Sequence, residues 1–544
     1  MQLRIDELMN ENAQLKSAQS ELKSAHTAIQ SELKARIEQL ERILKLAMIS
    51  KYAQSTERYT PHNDQQLSLF DEADLAPITD EEDTSEDDSD EEPKTPGKKR
   101  GKSGRKKLPD YLPRIRIEHT LPASELQTKE GLVFEKIGEE ITEELEIIPA
   151  QVRILQHVRF KYACKGREEH GIKIAPMKER VIPHSIASSS MIAHVLVQKY
   201  CYHMPLYRQE QEWKSFDIEL KRNTLCHWVL KSADLLKPLA ERLRYEVLDG
   251  TYIHADETPV TVLTHGEKKN GEQKNRQNSY MWLYGNSLKN LVYYDYQETR
   301  AGSHALDFLK DFKGHVQADA YSGYDMVYAT GDRTEVGCWA HARRKFHDII
   351  KTEKKHKHAG YALIEIGKLY KLEAHIRALI DSEDLGFDRI KQLRQEQAKP
   401  ILDALKLWMN DLIGKAPPKS SLGTALSYAL KNWRALTEYL DHGHLNIDNN
   451  FAENAIRPFA LGRKNWLFHG NHDGARASAI IYSLLENAKA HGLKPHQYMT
   501  YVLDNIKGAK TEMDVAALLP HKVAVAQPQL LMKSNKNIHN VTPA

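Results

Sequence analysis

The chain has 544 residues, more than one hydrophobic core ordinarily serves, so two or more folded units joined by linkers are expected. Hydrophobic residues make up 41% and charged residues 28%, the balance of a globular protein, and no window is apolar enough to span a bilayer. Four scattered cysteines with no secretory segment ahead of them exclude a disulfide framework, so a cytoplasmic protein with no membrane partner is expected.

Residues 1–54 are rich in Leu, Glu, Lys and Gln. Leu8, Leu15, Leu22 and Ile29 recur at heptad spacing, which predicts one long helix and a coiled coil that pairs two copies. Asn12, Gln19 and His26 interrupt the second seam. Residues 55–107 read as a disordered linker, in which the acidic run Asp80–Glu92 adjoins the basic run Lys94–Lys107. The two runs are either a solvated connector or an arm for DNA. Residues 108–175 carry strand-like apolar positions such as Ile115, Ile117 and Val133, and predict a small module.

Residues 176–247 read as helical, with apolar spacing at Ile192, Val195, Leu196 and Tyr200. The stretch Ser215–Ala233 has helix-turn-helix proportions, and Lys221 and Arg222 open its second helix as candidate DNA contacts. A plain helical bundle fits the same spacing. From 248 the pattern turns to strands at TYIHADETPVTVL, SYMWLYGN and NLVYYDYQ, then a helix over 303–312, then strands at HVQADAYSGY and TEVGCWAH. Residues 347–440 read as a helical insertion. The domain 248–490 is therefore α/β, and 491–544 is a helical extension and tail.

Asp256 and Asp319 follow apolar strand runs, which places each carboxylate at a strand terminus. In IDNNFAENAIRP, Asp448 reads as the N-cap and Pro458 as the limit of a helix that sets Asn449, Asn450, Glu453 and Arg457 on one face. Carboxylate oxygens select hard cations such as Mg²⁺. A pair of such ions roughly 4 Å apart suits phosphodiester chemistry. Taken singly, each acid is as readily a solvated surface group or a cap. Glu257 reads as a neighbour rather than a ligand, because adjacent strand residues face opposite sides. Trp466 and Phe468 read as core.

Together, HADETPV, QADAYSGY, GCWAHARRKF and DNNFAENAIRPFALGRKNWLFHG resemble the transposases of the insertion sequence 66 family, over about residues 108–520, with an LFDE-like patch at Leu69–Glu72 before them. The resemblance implies a bacterial, nucleoid-associated enzyme with an RNase H-like core. Its catalytic and metal-binding acids would be Asp256, Asp319 and Glu453, holding Mg²⁺ or Mn²⁺, two ions in all. Such an enzyme cleaves at transposon terminal inverted repeats and joins the freed 3′ ends to target DNA. It works as a homodimer or larger synaptic assembly, with small accessory proteins as further partners. His341 is implied as an auxiliary group. Arg343, Arg344, Arg457, Arg463 and Lys464 are implied as DNA contacts.

One departure stands out. The family's cysteine-based zinc ribbon is degenerate here, since 108–175 keeps only Cys164, so zinc is not expected in that module. The pairs Cys338/His341 and His469/His472 have zinc-like spacing but lie inside the motifs quoted above. Two other readings stay open: an inactive DNA-binding regulator derived from a transposase, and an RNase H-like nuclease that cuts without joining.

Overall fold

The computed structural model describes residues 179–532 except 265–267, 270, 271, 274, 275, 354 and 384, together with 152–163, 172–174 and seven helical positions between Lys23 and Ile37. Most of the expected coiled coil and of the module 108–175, all of the linker 55–107, and the tail from 533 onward lie outside the described residues. The described residues 152–163 and 172–174 belong to a unit separate from that of residues 179–532. They hold a short antiparallel pair, β1 (Lys161–Ala163) with β2 (Ile172–Ile174).

In the larger unit, three helices come first: α1 (Ser189–Tyr200), α2 (Leu206–Lys214) and α3 (Arg222–Leu248). Leu225, Trp228, Val229, Leu236, Leu239, Leu243 and Val247 give α3 an apolar stripe at three- and four-residue spacing, all of it buried. These helices share one hydrophobic core with the sheet that follows. Lys221 and Arg222 stay exposed at the start of α3.

The sheet has five strands in the order β7 (Leu291–Gln297), β6 (Arg276–Asn286), β3 (Tyr252–Leu263), β8 (Gly314–Gln317) and β9 (Arg333–Val336). β3 (Tyr252–Leu263), β6 (Arg276–Asn286) and β7 (Leu291–Gln297) are an antiparallel meander, with a small ladder of β4 (Lys268–Lys269) and β5 (Glu272–Gln273) at the first turn. Their aromatic and β-branched residues suit a surface covered on both faces, and Trp282, Tyr284 and Tyr294 are almost fully buried. The chain crosses over through α4 (Gly302–Phe308) and returns as β8 (Gly314–Gln317), parallel to β3. A short helix, α5 (Asp325–Tyr328), then leads to β9 (Arg333–Val336), parallel to β8. Gly314 has φ +131°, and a Cβ there would meet the Thr251 carbonyl oxygen at 2.3 Å, so only glycine lets β8 enter beside β3.

The last two strands are shorter than their sequence suggests. β8 stops at Gln317 and β9 at Val336, and Cys338 is already the N-cap of α6 (Trp339–Thr352). The insertion continues as α7 (Lys357–Glu383), α8 (Phe387–Leu393), α9 (Lys399–Ile413), α10 (Ser421–Lys431) and α11 (Trp433–Thr437). It builds a second core of its own, which takes only Tyr252 and Val336 from the sheet. Inside it, Arg394 pairs with Glu373 at 2.7 Å, both side chains almost fully buried.

The chain rejoins the sheet through α12 (Asn450–Trp466), followed by α13 (His472–Ala490), α14 (Pro495–Asn505), α15 (Glu512–Ala517) and α16 (Pro520–Ala526). Pro458 does not end α12, which runs eight residues beyond it. Its ring removes one backbone donor, and packing of Phe459 and Trp466 into the core holds the rest of the helix. Trp466 is core as expected, but Phe468 is 41% exposed. Leu467 takes φ +64° and turns the chain out, before His469 bonds back to the edge of β3 through Thr261 and Leu263.

Candidate active site

Strand register explains how two distant aspartates meet. The parallel pairing of β3 and β8 ends at His254 opposite Gln317, and Asp256 and Asp319 each stand two residues further on. Asp256 is therefore within β3 rather than at its end, and Asp319 lies just past β8; what ends there is the parallel partnership, so both aspartates stand just beyond its last paired residues.

Glu453 reaches the same place from α12. Asn449, 1% exposed, holds the position before the helix, and its side-chain amide donates to the Ala255 carbonyl at 2.8 Å. Its oxygen must then accept from His254 Nδ1, at 2.9 Å. That fixes the tautomer of His254, whose Nε2 accepts from Ser287 at 3.0 Å and lies 3.3 Å from the Asn446 amide. Burial pushes His254 down to about 4, consistent with a neutral ring. Asn449, read from sequence as sharing one polar helix face with Glu453, braces β3 against α12. Asp448, expected as the N-cap, sits one place earlier and accepts from the Asn450 amide at 3.2 Å.

Asp256 and Glu453 are both shifted by burial and by neighbouring charges. Burial raises the Asp256 carboxyl well above the ordinary range, and Glu257, Glu453 and Asp319 add to it. Glu453 is raised by burial too, opposed mainly by Arg344, with Asp448 and Asp319 adding to the rise. One buried oxygen of Glu453 has no hydrogen-bond partner. His341 Nδ1 and Arg344 Nη2 each lie 3.6 Å from this carboxylate. Cys338 Sγ, a His341 ring nitrogen and a Glu453 oxygen lie within 4.8 Å of one another, so the Cys338/His341 pair meets an acid. His469 and His472 do not share such a group among the described residues; His472 pairs with the Tyr296 hydroxyl at 2.7 Å.

Asp319 is steadied by a cluster that sequence reasoning missed. The Tyr321 amide donates to its carboxylate at 3.1 Å. The Arg300 guanidinium stacks 3.7 Å from the Tyr321 ring and grips Glu257 through two nitrogens, at 2.6 and 2.9 Å, while Tyr324 donates to the other Glu257 oxygen at 2.8 Å. Glu257 is thus committed to Arg300 and Tyr324. The paired tyrosines of YSGY directly after Asp319 were the available signal.

The basic residues divide. Arg457 is half-buried beside Glu453, with a buried nitrogen lacking a hydrogen-bond partner. Arg463 reaches β3, donating to Thr258 at 3.1 Å and to the Pro259 carbonyl, which makes it a second brace. Lys464 is exposed. Arg343 is only 7% exposed and its guanidinium is desolvated near Tyr370, so its face of α6 packs inward.

The family model described as "Transposase IS66 family" matches residues 184–477, more than half of the chain and all of the residues above. The chain belongs to the IS66 transposase family. Three more models match the flanks of this IS66-family chain: "Transposase C of IS166 homeodomain" at 39–117, "zinc-finger binding domain of transposase IS66" at 130–166 and "IS66 C-terminal element" at 483–521. Within 130–166 the sequence offers one cysteine, Cys164, and one histidine, His157, where a structural zinc site takes four ligands. The zinc-finger match keeps zinc among the metals to be tested. Two proteins of Sinorhizobium fredii are similar over most of their length. Uncharacterized protein y4jD is 31% identical over 76% of this chain and 81% of its own, and uncharacterized protein y4qI is 30% identical over 91% and 90%.

Proposed function

We propose that this IS66-family chain is a DDE transposase, with Asp256, Asp319 and Glu453 as the acids that cut transposon ends and join them to target DNA. The observation that supports it most is that three acids from a strand, a loop and a helix share one half-buried electrostatic environment. The sheet order, three antiparallel strands then two parallel ones, supports reading 248–490 as an RNase H-like core split by the insertion.

Partly buried carboxylates that destabilise one another, one with an unpartnered oxygen, are the donor set a hard divalent cation fits. Asp256, Asp319 and Glu453 would hold Mg²⁺ or Mn²⁺, a metal whose chemistry would be to activate an attacking oxygen and to stabilise a leaving one. Arg344, His341 and Arg457 surround Glu453 and would orient it and meet a phosphate. Exposed Lys464, with Lys221 and Arg222 on α3, would hold the DNA backbone. The leucine-rich start would pair two copies, so that two transposon ends meet in one assembly in the bacterial nucleoid.

The test is a strand-transfer reaction with purified protein, Mg²⁺ and labelled DNA bearing the element's inverted repeats. Joined products support the transposase. Cut but unjoined ends point to a nuclease, and binding without cutting points to a regulator.

A further inference from the structure

Where β8 meets the end of the helical insertion, two imidazoles and a carboxylate converge. His315 is the second residue of β8, and Glu438 and His442 belong to the turn that follows α11. His315 Nε2 lies 3.6 Å from Glu438 Oε1, and His442 Nε2 lies 3.7 Å from that same oxygen. All three ligand atoms are within 4.8 Å of one another. We propose that His315, Glu438 and His442 form a binding site for a zinc-class divalent cation, which fastens the end of the helical insertion to strand β8.

The separations carry the argument. Both exceed a hydrogen bond, so the carboxylate is not simply accepting protons from two rings. They are close to what one tetrahedral ion imposes, because bonds of about 2.0–2.2 Å at tetrahedral angles set neighbouring ligand atoms roughly 3.3–3.6 Å apart. Two imidazoles with one carboxylate select Zn²⁺, Co²⁺ or Ni²⁺ over Mg²⁺, which prefers oxygen alone. All three side chains are partly exposed, which leaves an entry path and a position for water.

The site is also built in advance. Buried Arg394, fixed by Glu373, donates to the carbonyls of Tyr439 and His442 at 3.0 and 2.9 Å, which shapes the turn that carries two of the ligands. Gly443 belongs to the same close packing, since a Cβ there would meet the Phe387 carbonyl oxygen at 2.0 Å. A third imidazole, His444, stands 5.6 Å from both other rings, with a buried Nε2 that has no hydrogen-bond partner. The liganded strand runs on to Asp319 and the liganded turn runs on to Glu453, so an ion here would tie together the two segments that carry those acids.

The probe is Zn²⁺ or Co²⁺ alone, added to the full-length chain without DNA. We expect the wild type to bind one more equivalent than His315→Gln, His442→Gln or Glu438→Gln, with a tetrahedral Co²⁺ visible spectrum and a Zn²⁺-induced rise in Tm that each variant loses. Cys164→Ser and Asp256→Asn keep that spectrum and that rise, which separates this site from the zinc-finger segment and from the acids. The metal-free Tm of each variant establishes that it has folded, and the three substitutions serve as replacements for one another. Unchanged stoichiometry and an unchanged Zn²⁺-induced Tm rise in the folded variants would overturn the proposal.

Discussion

The side-chain amide of Asn449 donates to the Ala255 carbonyl at 2.8 Å, one residue before Asp256 and one helical turn before Glu453. A single buried side chain therefore sets how far the strand acid stands from the helix acid. Replacing it with alanine strands a buried carbonyl and the His254 donor, a loss of roughly 1–3 kcal/mol. Asn449→Ala should lower Tm and reduce Mg²⁺-dependent cleavage at least tenfold while DNA affinity holds. Asn449→Asp keeps the acceptor and loses the donor, and should lose cleavage as well. Cleavage at the wild-type rate in a folded Asn449→Ala would leave the residue with a structural role alone.

The acids make stability depend on pH and metal in a defined direction. The folded carboxyls of Asp256 and Glu453 lie above their unfolded values, so the native state binds more protons, and stability falls as pH rises from the ordinary carboxylate range through the raised folded values. Without metal, Asp256→Asn should be the more stable protein at neutral pH, and the gap should close under acid conditions. Mg²⁺ should raise the wild-type Tm and leave that of Asp256→Asn nearly unchanged. Thermal melts across pH, with and without Mg²⁺, test this; a wild type more stable than Asp256→Asn in metal-free neutral buffer would refute it.

Two basic neighbours near the end of α12 should separate cleanly. Lys464→Ala removes an exposed charge and should leave Tm unchanged, while the slope of log affinity against log salt falls by about 0.9. Arg463→Ala breaks its bonds to Thr258 and Pro259, and should lower Tm. Salt titrations of DNA binding alongside thermal melts distinguish the two roles.

The buried pair Arg394–Glu373 anchors the turn before Glu453 as well as the insertion core. Removing one partner leaves an uncompensated charge, so Arg394→Met should cost roughly 3–5 kcal/mol, and the double change Arg394→Met with Glu373→Leu markedly less. Denaturant unfolding of the single and double variants measures the difference.

The meander was readable from sequence because its aromatic and β-branched runs alternate with Gly-containing turns, and the insertion because Leu363, Ile366, Leu369 and Leu372 keep helical spacing. The ends of elements were not. Pro458 signals a stop locally, but core contacts further along α12 outweigh the one lost hydrogen bond. Asp256 looked terminal because the apolar run stops there, whereas the ladder with β6 continues to Leu263. Arg343 and Arg344 are adjacent and chemically alike, yet helix rotation buries one and turns the other toward Glu453. Nothing local foretells the Glu257–Arg300 grip or the Asn449 brace, because each depends on segments dozens to hundreds of residues apart.

The most direct test of the proposed chemistry measures cleavage and binding of inverted-repeat DNA in the same preparations of wild type, Asp256→Asn, Asp319→Asn and Glu453→Gln with Mg²⁺. The account predicts that each variant binds like the wild type and loses cleavage by a factor on the order of 10³ or more, the scale on which single catalytic groups act. Full cleavage activity in any one of the three would contradict it.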